Sequence, residues 1–286
     1  MACIFITGST DGLGRAAAQA LLDAGHQVVL HARSAARAAA VGDLASRCAG
    51  VAIGDLRSAA ETRSIAEQVN AIGRMDAVIH NAGVYRERDR GATPEGHAGT
   101  LAVNTLAPYT LTALIHRPDR LVYLSSGLHR GGEGSLDDLD WTKRPWDPAR
   151  AYAESKLHVV ALAFALARRW PEVLSNAVDP GWARTRMGGP GAPVDLDSGQ
   201  RTQTWLAVSS DPAAMVSGRY WHDLRQETPA GEATDPAFQD QLVAKLGALS
   251  GVALPRGQDP NGGPQALLPE AISERALPRT SPDKGR

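Results

Sequence analysis

Cysteine is scarce in this 286-residue chain, with only Cys3 and Cys48 present. The two lack metal-ligand spacing and cannot build a disulfide framework, so the expected setting is the reducing cytoplasm, with no metal site. No apolar run is long enough to cross a bilayer, and the chain starts directly at a strand-like segment, so neither membrane anchor nor signal peptide is expected. An excess of one charge is also missing. With 30 basic and 31 acidic residues the formal charge is −1, and no basic patch argues for nucleic acid. There is no internal repeat. The length suits one domain, with room for a loose tail.

Strand-like and helix-like segments alternate along the chain. Short runs rich in β-branched residues fall at 2–6, 27–32, 50–53, 76–80, 119–125, 173–178 and 217–221. Helical patterns occupy 13–24, 35–48, 58–72, 96–116, 150–169 and 197–208. Gly25 reads as a C-cap, and Pro118 and Pro171 close later helices. The alternation predicts an α/β fold, a doubly wound Rossmann-type parallel sheet of about seven strands with helices on both faces. One domain is expected over 1–254. From 255 to 286 proline, glycine and charge dominate, the composition of a poorly ordered tail. Residues 127–149 form a polar insertion, and 181–197 are Gly/Pro-rich without clear period. A weaker helical stretch, 236–249, is expected to pack on the domain or to cap a cleft.

Two motifs carry chemistry. The first strand runs into Thr7-Gly8-Ser9-Thr10-Asp11-Gly12-Leu13-Gly14 and then a helix. A glycine-rich turn there lets the backbone approach a diphosphate, and the helix N-terminus offers free N–H groups. The spacing is Gly-x-x-x-Gly-x-Gly, distinct from the general dinucleotide fingerprint. The second motif is Tyr152-Ala153-Glu154-Ser155-Lys156. Four residues apart on a helix, Tyr152 and Lys156 share one face. An ammonium beside a phenol favours its anion, and moving a free tyrosine from about 10 to about 7 takes about 4 kcal/mol.

Together these motifs resemble the short-chain dehydrogenase/reductase family. Four further segments are similar to its pattern in the same order: Asn81-Ala82-Gly83 after an apolar strand, Asn104 within a helix, Ser126 at a strand end, and Pro180-Gly181 followed by Thr185. The resemblance runs from residue 7 to about 185. It implies that Tyr152 exchanges a proton with the substrate oxygen while hydride moves to or from a nicotinamide. It implies that Lys156 holds the ribose and lowers the tyrosine pKa, that Ser126 (rather than Ser125) binds the substrate oxygen, and that Asn104 supports a proton relay near Lys156. The coenzyme contacts it implies are Thr7, Gly8, Ser9, Gly12, Leu13, Gly14, Asn81, Ala82, Gly83, Tyr152, Lys156, Pro180, Gly181 and Thr185. The family's acidic position after the second strand is Ala32 here, and Arg33 follows. A guanidinium there suits a 2′-phosphate, so NADP(H) is preferred, with NAD(H) as the alternative. Asp55-Leu56 resembles the family's adenine-binding pair, and Asp55 could also cap the following helix.

The stretch between Ser126 and Tyr152 is about twice that of compact members. With Ser125-Ser126-Gly127-Leu128-His129 it is similar to the retinol-dehydrogenase-like branch, which includes the WW-domain-containing oxidoreductases. That branch implies a small-molecule substrate, an apolar alcohol, aldehyde or ketone. His129 reads as a residue that positions the insertion, and Trp141 and Trp146 either wall the substrate cleft or pack the insertion down. The competing class is a non-catalytic nicotinamide-binding regulatory or scaffold protein. Retention of Tyr152, Lys156, Ser126 and Asn104 argues for the enzyme. The family commonly forms homodimers or homotetramers through the helices around 96–116 and 150–169. The stripe Leu157, Val160, Ala161 and Phe164 fits such an interface and fits burial inside one chain equally well.

Overall fold

The computed structural model describes residues 1–85 and 87–255. The expected tail lies outside the described residues beyond Pro255. Eight strands form one sheet: β1 (Cys3–Ile6), β2 (Gln27–Ala32), β3 (Gly50–Ile53), β4 (Ala77–His80), β5 (Arg120–Leu124), β6 (Leu174–Asp179), β7 (Tyr220–His222) and β8 (Arg225–Glu227). Their order is β3-β2-β1-β4-β5-β6-β7-β8. All pairings are parallel except β7 with β8. The order reverses between β1 and β4, which places a crevice at the carboxyl ends of those strands, where open α/β sheets take their ligands.

The helices are α1 (Gly12–Asp23), α2 (Ala35–Ala39), α3 (Gly42–Ala45), α4 (Ala59–Ile72), α5 (Gly99–Leu101), α6 (Ala107–Leu114), α7 (Pro148–Arg169), α8 (Leu196–Val208), α9 (Gly231–Thr234) and α10 (Pro236–Ser250). They cover both faces of the sheet, so its central strands are apolar on both sides, with successive residues entering opposite cores. Ile4 and Ile6 of β1 join one core with Val28, Leu30, Ile79 and Leu21. Phe5, between them, joins the other with Val29, Val78, Leu157 and Leu242.

Three elements depart from the sequence expectation. The helix over 35–48 is two short helices separated at Ala40 and Val41. The one over 96–116 starts at Gly99 and passes through a π-helical turn, Ala102–Leu106, before α6. Pro108 has no N–H to give the carbonyl four residues back, which is that of Asn104, and its ring crowds that carbonyl; the helix widens there. The eighth strand, β8, follows a two-residue turn, Asp223-Leu224, both at positive φ. Neither residue is a glycine or asparagine, so the usual hairpin signal is absent. The Leu224 N–H is held by Thr202 Oγ1 at 3.0 Å.

Helix α7 is buried on nearly every face. Leu157, Val160 and Ala161 are fully buried and Phe164 packs half-buried against the same core. The sheet covers one side, and α9 and α10 cover another, with Phe238, Leu242 and Leu246 buried beneath α10. The stretch expected at 236–249 therefore packs on the domain. Among the described residues no helix is long and apolar enough to cross a membrane.

Candidate active site

The glycine turn between β1 and α1 is shaped by what touches it. Gly8 and Gly12 have φ of +64° and +52°, a region that suits glycine. A Cβ on Gly8 would lie 3.0 Å from Ala82 Cα, and one on Gly14 would lie 2.5 Å from the Gly8 carbonyl oxygen. The end of β4 presses against this turn. Asn81 Nδ2 donates to the Thr7 carbonyl at 2.9 Å, and the Ala82 N–H donates to Thr7 Oγ1 at 3.0 Å. Asp11 caps α1, accepting from the Gly12 N–H at 2.8 Å, and pairs with Arg186 at 3.0 Å and Arg37 at 3.3 Å.

Beneath the turn stands His31, which no sequence motif marks beyond its being a histidine inside an apolar strand. Gly8 N–H donates to its Nδ1 at 2.9 Å, and its Nε2 meets the Gly54 carbonyl at 2.9 Å. The ring is therefore neutral with its proton on Nε2, and burial holds its pKa below the usual histidine value. One imidazole thus ties the glycine turn to the segment that leads into Asp55.

Two adjoining cavities open above the carboxyl ends of the strands. The first, of about 350 Å³, extends from Arg33 and Asp55-Leu56 at one end, past Gly8, Gly12 and Leu13, to Asn81-Ala82-Gly83, Tyr152 and Lys156 at the other. The second, of about 460 Å³, is lined by Tyr85, Ser126, Tyr152, Gly181, Trp182 and Leu128, among others. Tyr152, Pro180 and Thr185 border both. Thr7, Ser9, Gly14 and Asn104 line neither. Thr7 and Ser9 are buried, and Ser9 Oγ donates to the Ile6 carbonyl at 2.9 Å while accepting from the His31 N–H at 2.8 Å. Their side chains brace the turn from inside. Arg33 is exposed at the cavity end, and among the described residues it has no ion-pair partner.

Tyr152 and Lys156 emerge from the first turns of α7, which Asp147 caps and Pro148 opens. Tyr152 packs against the Tyr85 ring at 4.4 Å between centroids. Burial pushes its phenol up to about 12; the neighbouring Ser126 hydroxyl works against that rise, and the Asp179 charge adds to it. Burial thus outweighs any lowering by the nearby lysine. Lys156 Nζ lies 5.5 Å from the Tyr152 ring centre and donates to the Leu124 carbonyl at 2.9 Å. Burial lowers its pKa to about 8, opposed by the Asp179 charge.

The two adjacent serines differ in what they hold. Ser125 Oγ is buried and donates to the Lys156 carbonyl at 3.0 Å. Ser126 faces the second cavity and its Oγ accepts from the Leu128 N–H at 3.3 Å. His129 uses both ring nitrogens on backbone: Nδ1 donates to the Ser126 carbonyl at 2.8 Å and Nε2 accepts from the Ala230 N–H at 3.0 Å. It positions the insertion. Trp141 and Trp146 also pack that insertion down, donating to Glu154 and to the Glu87 carbonyl at 3.1 and 3.0 Å. Neither lines the two cavities.

Asn104 sits in the π-helical turn with 1% of its surface exposed. Its Nδ2 donates to the Val84 carbonyl at 3.0 Å and to Ser155 Oγ at 2.9 Å, and its Oδ1 accepts from the Val84 N–H at 2.8 Å. Ser155 Oγ in turn donates to the Tyr152 carbonyl at 2.7 Å. The amide therefore joins the segment after β4 to the turn of α7 that carries Tyr152.

Comparison with known proteins follows the same line. The family model described as short chain dehydrogenase matches residues 2–122. An uncharacterized oxidoreductase of Emericella nidulans is 40% identical over 90% of this chain and 100% of its own length. Human retinol dehydrogenase 13 is 30% identical over 88% of this chain and 85% of its own. Among solved structures, a blue fluorescent protein from a metagenomic library, in complex with NADPH, superposes with a TM-score of 0.63 at 20% identity, over 77% of this chain and 95% of that one.

Proposed function

Because the chain belongs to the short-chain dehydrogenase family, with retinol dehydrogenases among its relatives, we propose that it is a cytoplasmic NADP(H)-dependent carbonyl reductase, or alcohol dehydrogenase, acting on a small or medium apolar substrate. The observation that carries this reading is the meeting of Tyr152 and Ser126 at the junction of the two cavities, with Lys156 behind them in the first. The first cavity suits a dinucleotide: Gly8 and Gly14 leave no room for a Cβ, α1 presents its N-terminus, and Arg33 offers a guanidinium, without an ion-pair partner among the described residues, where a 2′-phosphate would sit. Ala32 presents no carboxylate to repel that phosphate.

The nicotinamide coenzyme, when bound, supplies or accepts the hydride. The chain's residues do the rest. Tyr152, protonated across the neutral range, gives its proton to the substrate oxygen. Ser126 donates a hydrogen bond to the same oxygen as negative charge grows there. Lys156 holds the coenzyme ribose with an ammonium already anchored on Leu124. Asn104 acts as a positioning residue that fixes Val84 and, through Ser155, the turn of α7.

The test is consumption of NADPH, followed by absorbance, against a mixed aldehyde and ketone panel. The parent reduces members of the panel, and Tyr152→Phe binds NADPH normally but turns nothing over. Arg33→Ala weakens NADPH by about tenfold, the loss of one charge-assisted pair, and leaves NADH unchanged. A parent that reduces none of the panel, or a phenylalanine variant that keeps its rate, refutes the reading.

A further inference from the structure

The second cavity holds one charged side chain that the reaction above does not use. Its walls are largely apolar, with Leu13, Tyr85, Leu128, Trp182 and Met187 around the Tyr152 and Ser126 hydroxyls, and Asp179 is the charged residue among the lining groups. Asp179 ends β6, directly before Pro180-Gly181, and its side chain is 14% exposed. Oδ1 accepts from the Gly181 N–H at 2.9 Å, which fixes the carboxylate's orientation. Oδ2 lies over Gly127, where a Cβ would come within 3.0 Å of it.

Among the described residues, no lysine or arginine pairs with this carboxylate. His222 Nδ1 is 3.9 Å from Oδ2 but bonds the Asp179 carbonyl at 3.1 Å. Arg130 is committed to Glu227 and the Thr228 carbonyl, both at 2.9 Å. The buried Tyr220 hydroxyl is close enough to Asp179 for a hydrogen bond to influence its titration, but it is neutral and brings no opposite charge. The field of Asp179 reaches Tyr152, Lys156, His129 and Tyr220. A mostly buried carboxylate in an apolar cleft is costly unless a partner of opposite charge arrives with the ligand.

We infer that Asp179 is a specificity-determining residue that selects carbonyl or alcohol substrates carrying a protonated amine, held against Oδ2 while the reacting oxygen rests on Tyr152 and Ser126. This rests on the second cavity being the substrate site. The apolar walls accept the carbon frame of such a molecule, and the carboxylate distinguishes it from a neutral one of the same shape.

The experiment compares a methyl ketone bearing a dimethylamino group on its tail with the isosteric ketone bearing an isopropyl group. The parent is expected to favour the amine by about tenfold or more in kcat/KM, the worth of about one partly desolvated charge pair. In Asp179→Asn the amide oxygen still accepts from Gly181, so the turn is kept, and the amine-to-neutral ratio falls to about one through a rise in KM for the amine. Calorimetry with the corresponding alcohols on the full chain reads the same contact without turnover, so it decides the point even if neither ketone is reduced. The amine-tailed alcohol binds the parent more tightly than its neutral analogue, and the asparagine variant binds the two alike. Equal preference in the parent by both measures, or a ratio unchanged by Asp179→Asn, overturns the inference.

Discussion

Acid should unfold this protein through its histidines before its carboxylates matter. His158 lies two residues beyond Lys156 on α7, fully buried, and burial with the nearby Arg144 charge lowers its pKa to about 3. His80, stacked on Tyr123 at 4.7 Å and bonded to Thr112 Oγ1 at 3.0 Å, is lowered by burial to about 3 as well. An unfolded histidine titrates near about 6.5. Between these values the unfolded chain binds protons that the folded one refuses, so stability falls as pH falls, by about 1.4 kcal/mol per unit for each ring. At pH 5 each ring has removed about 2 kcal/mol and the pair about 4, against a total of about 5–15 for a typical domain. His31 and His129 are shifted the same way and steepen the loss. His97 works in the opposite sense: Asp140 raises its pKa, so its contribution is full below the unfolded value and disappears as pH rises through the raised one. The assay is urea unfolding, followed by tryptophan fluorescence, stepped from pH 7 to 5. His158→Leu, which replaces a ring whose nitrogens have no hydrogen-bond partner among the described residues by an apolar side chain of similar size, should flatten the dependence by about one proton, about 1.4 kcal/mol per unit. An identical slope in parent and variant, or stability that rises on acidification, refutes the reasoning.

Gly14→Ala forces a methyl onto the Gly8 carbonyl and Asn81; NADPH affinity by fluorescence titration should drop by more than about tenfold, and an unchanged value would show that the turn accommodates a side chain. Lys156, lowered to about 8, is charged below that value and neutral above it, so coenzyme affinity should decline as pH rises through about 8. A Lys156→Met variant should bind weakly with a flat profile, and the same inflection in that variant would assign it to another group. Light scattering should give the mass of one chain, because α10 and the sheet already cover α7; a stable dimer would show that another surface assembles.

The sheet was legible because its central strands are apolar on both sides, and runs such as Cys3–Ile6 and Ala77–His80 end in glycine or asparagine turns. What depends on two distant segments meeting was not legible. Ser125 and Ser126 are adjacent and alike in sequence, and both border the second cavity; only the approach of the Lys156 carbonyl engages the hydroxyl of the first. The bracing by His31 required Gly8 and Gly54 to converge on one ring. Asp179 falls just past the strand expected at 173–178 and before the Pro-Gly turn, where nothing local marks a carboxylate that faces a cavity. Strand β8 escaped because Arg225, Gln226 and Glu227 are all exposed and carry no alternation. The π-helical turn had a local signal, Pro108 four residues after Asn104, that a regular helical period does not include.

The enclosure of α7 within a single chain has a kinetic corollary. Tyr152 and Lys156 sit four residues apart on α7, which packs against α9, α10 and the sheet of its own chain. Specific activity should therefore stay constant on dilution, and each molecule should meet its coenzyme independently of every other.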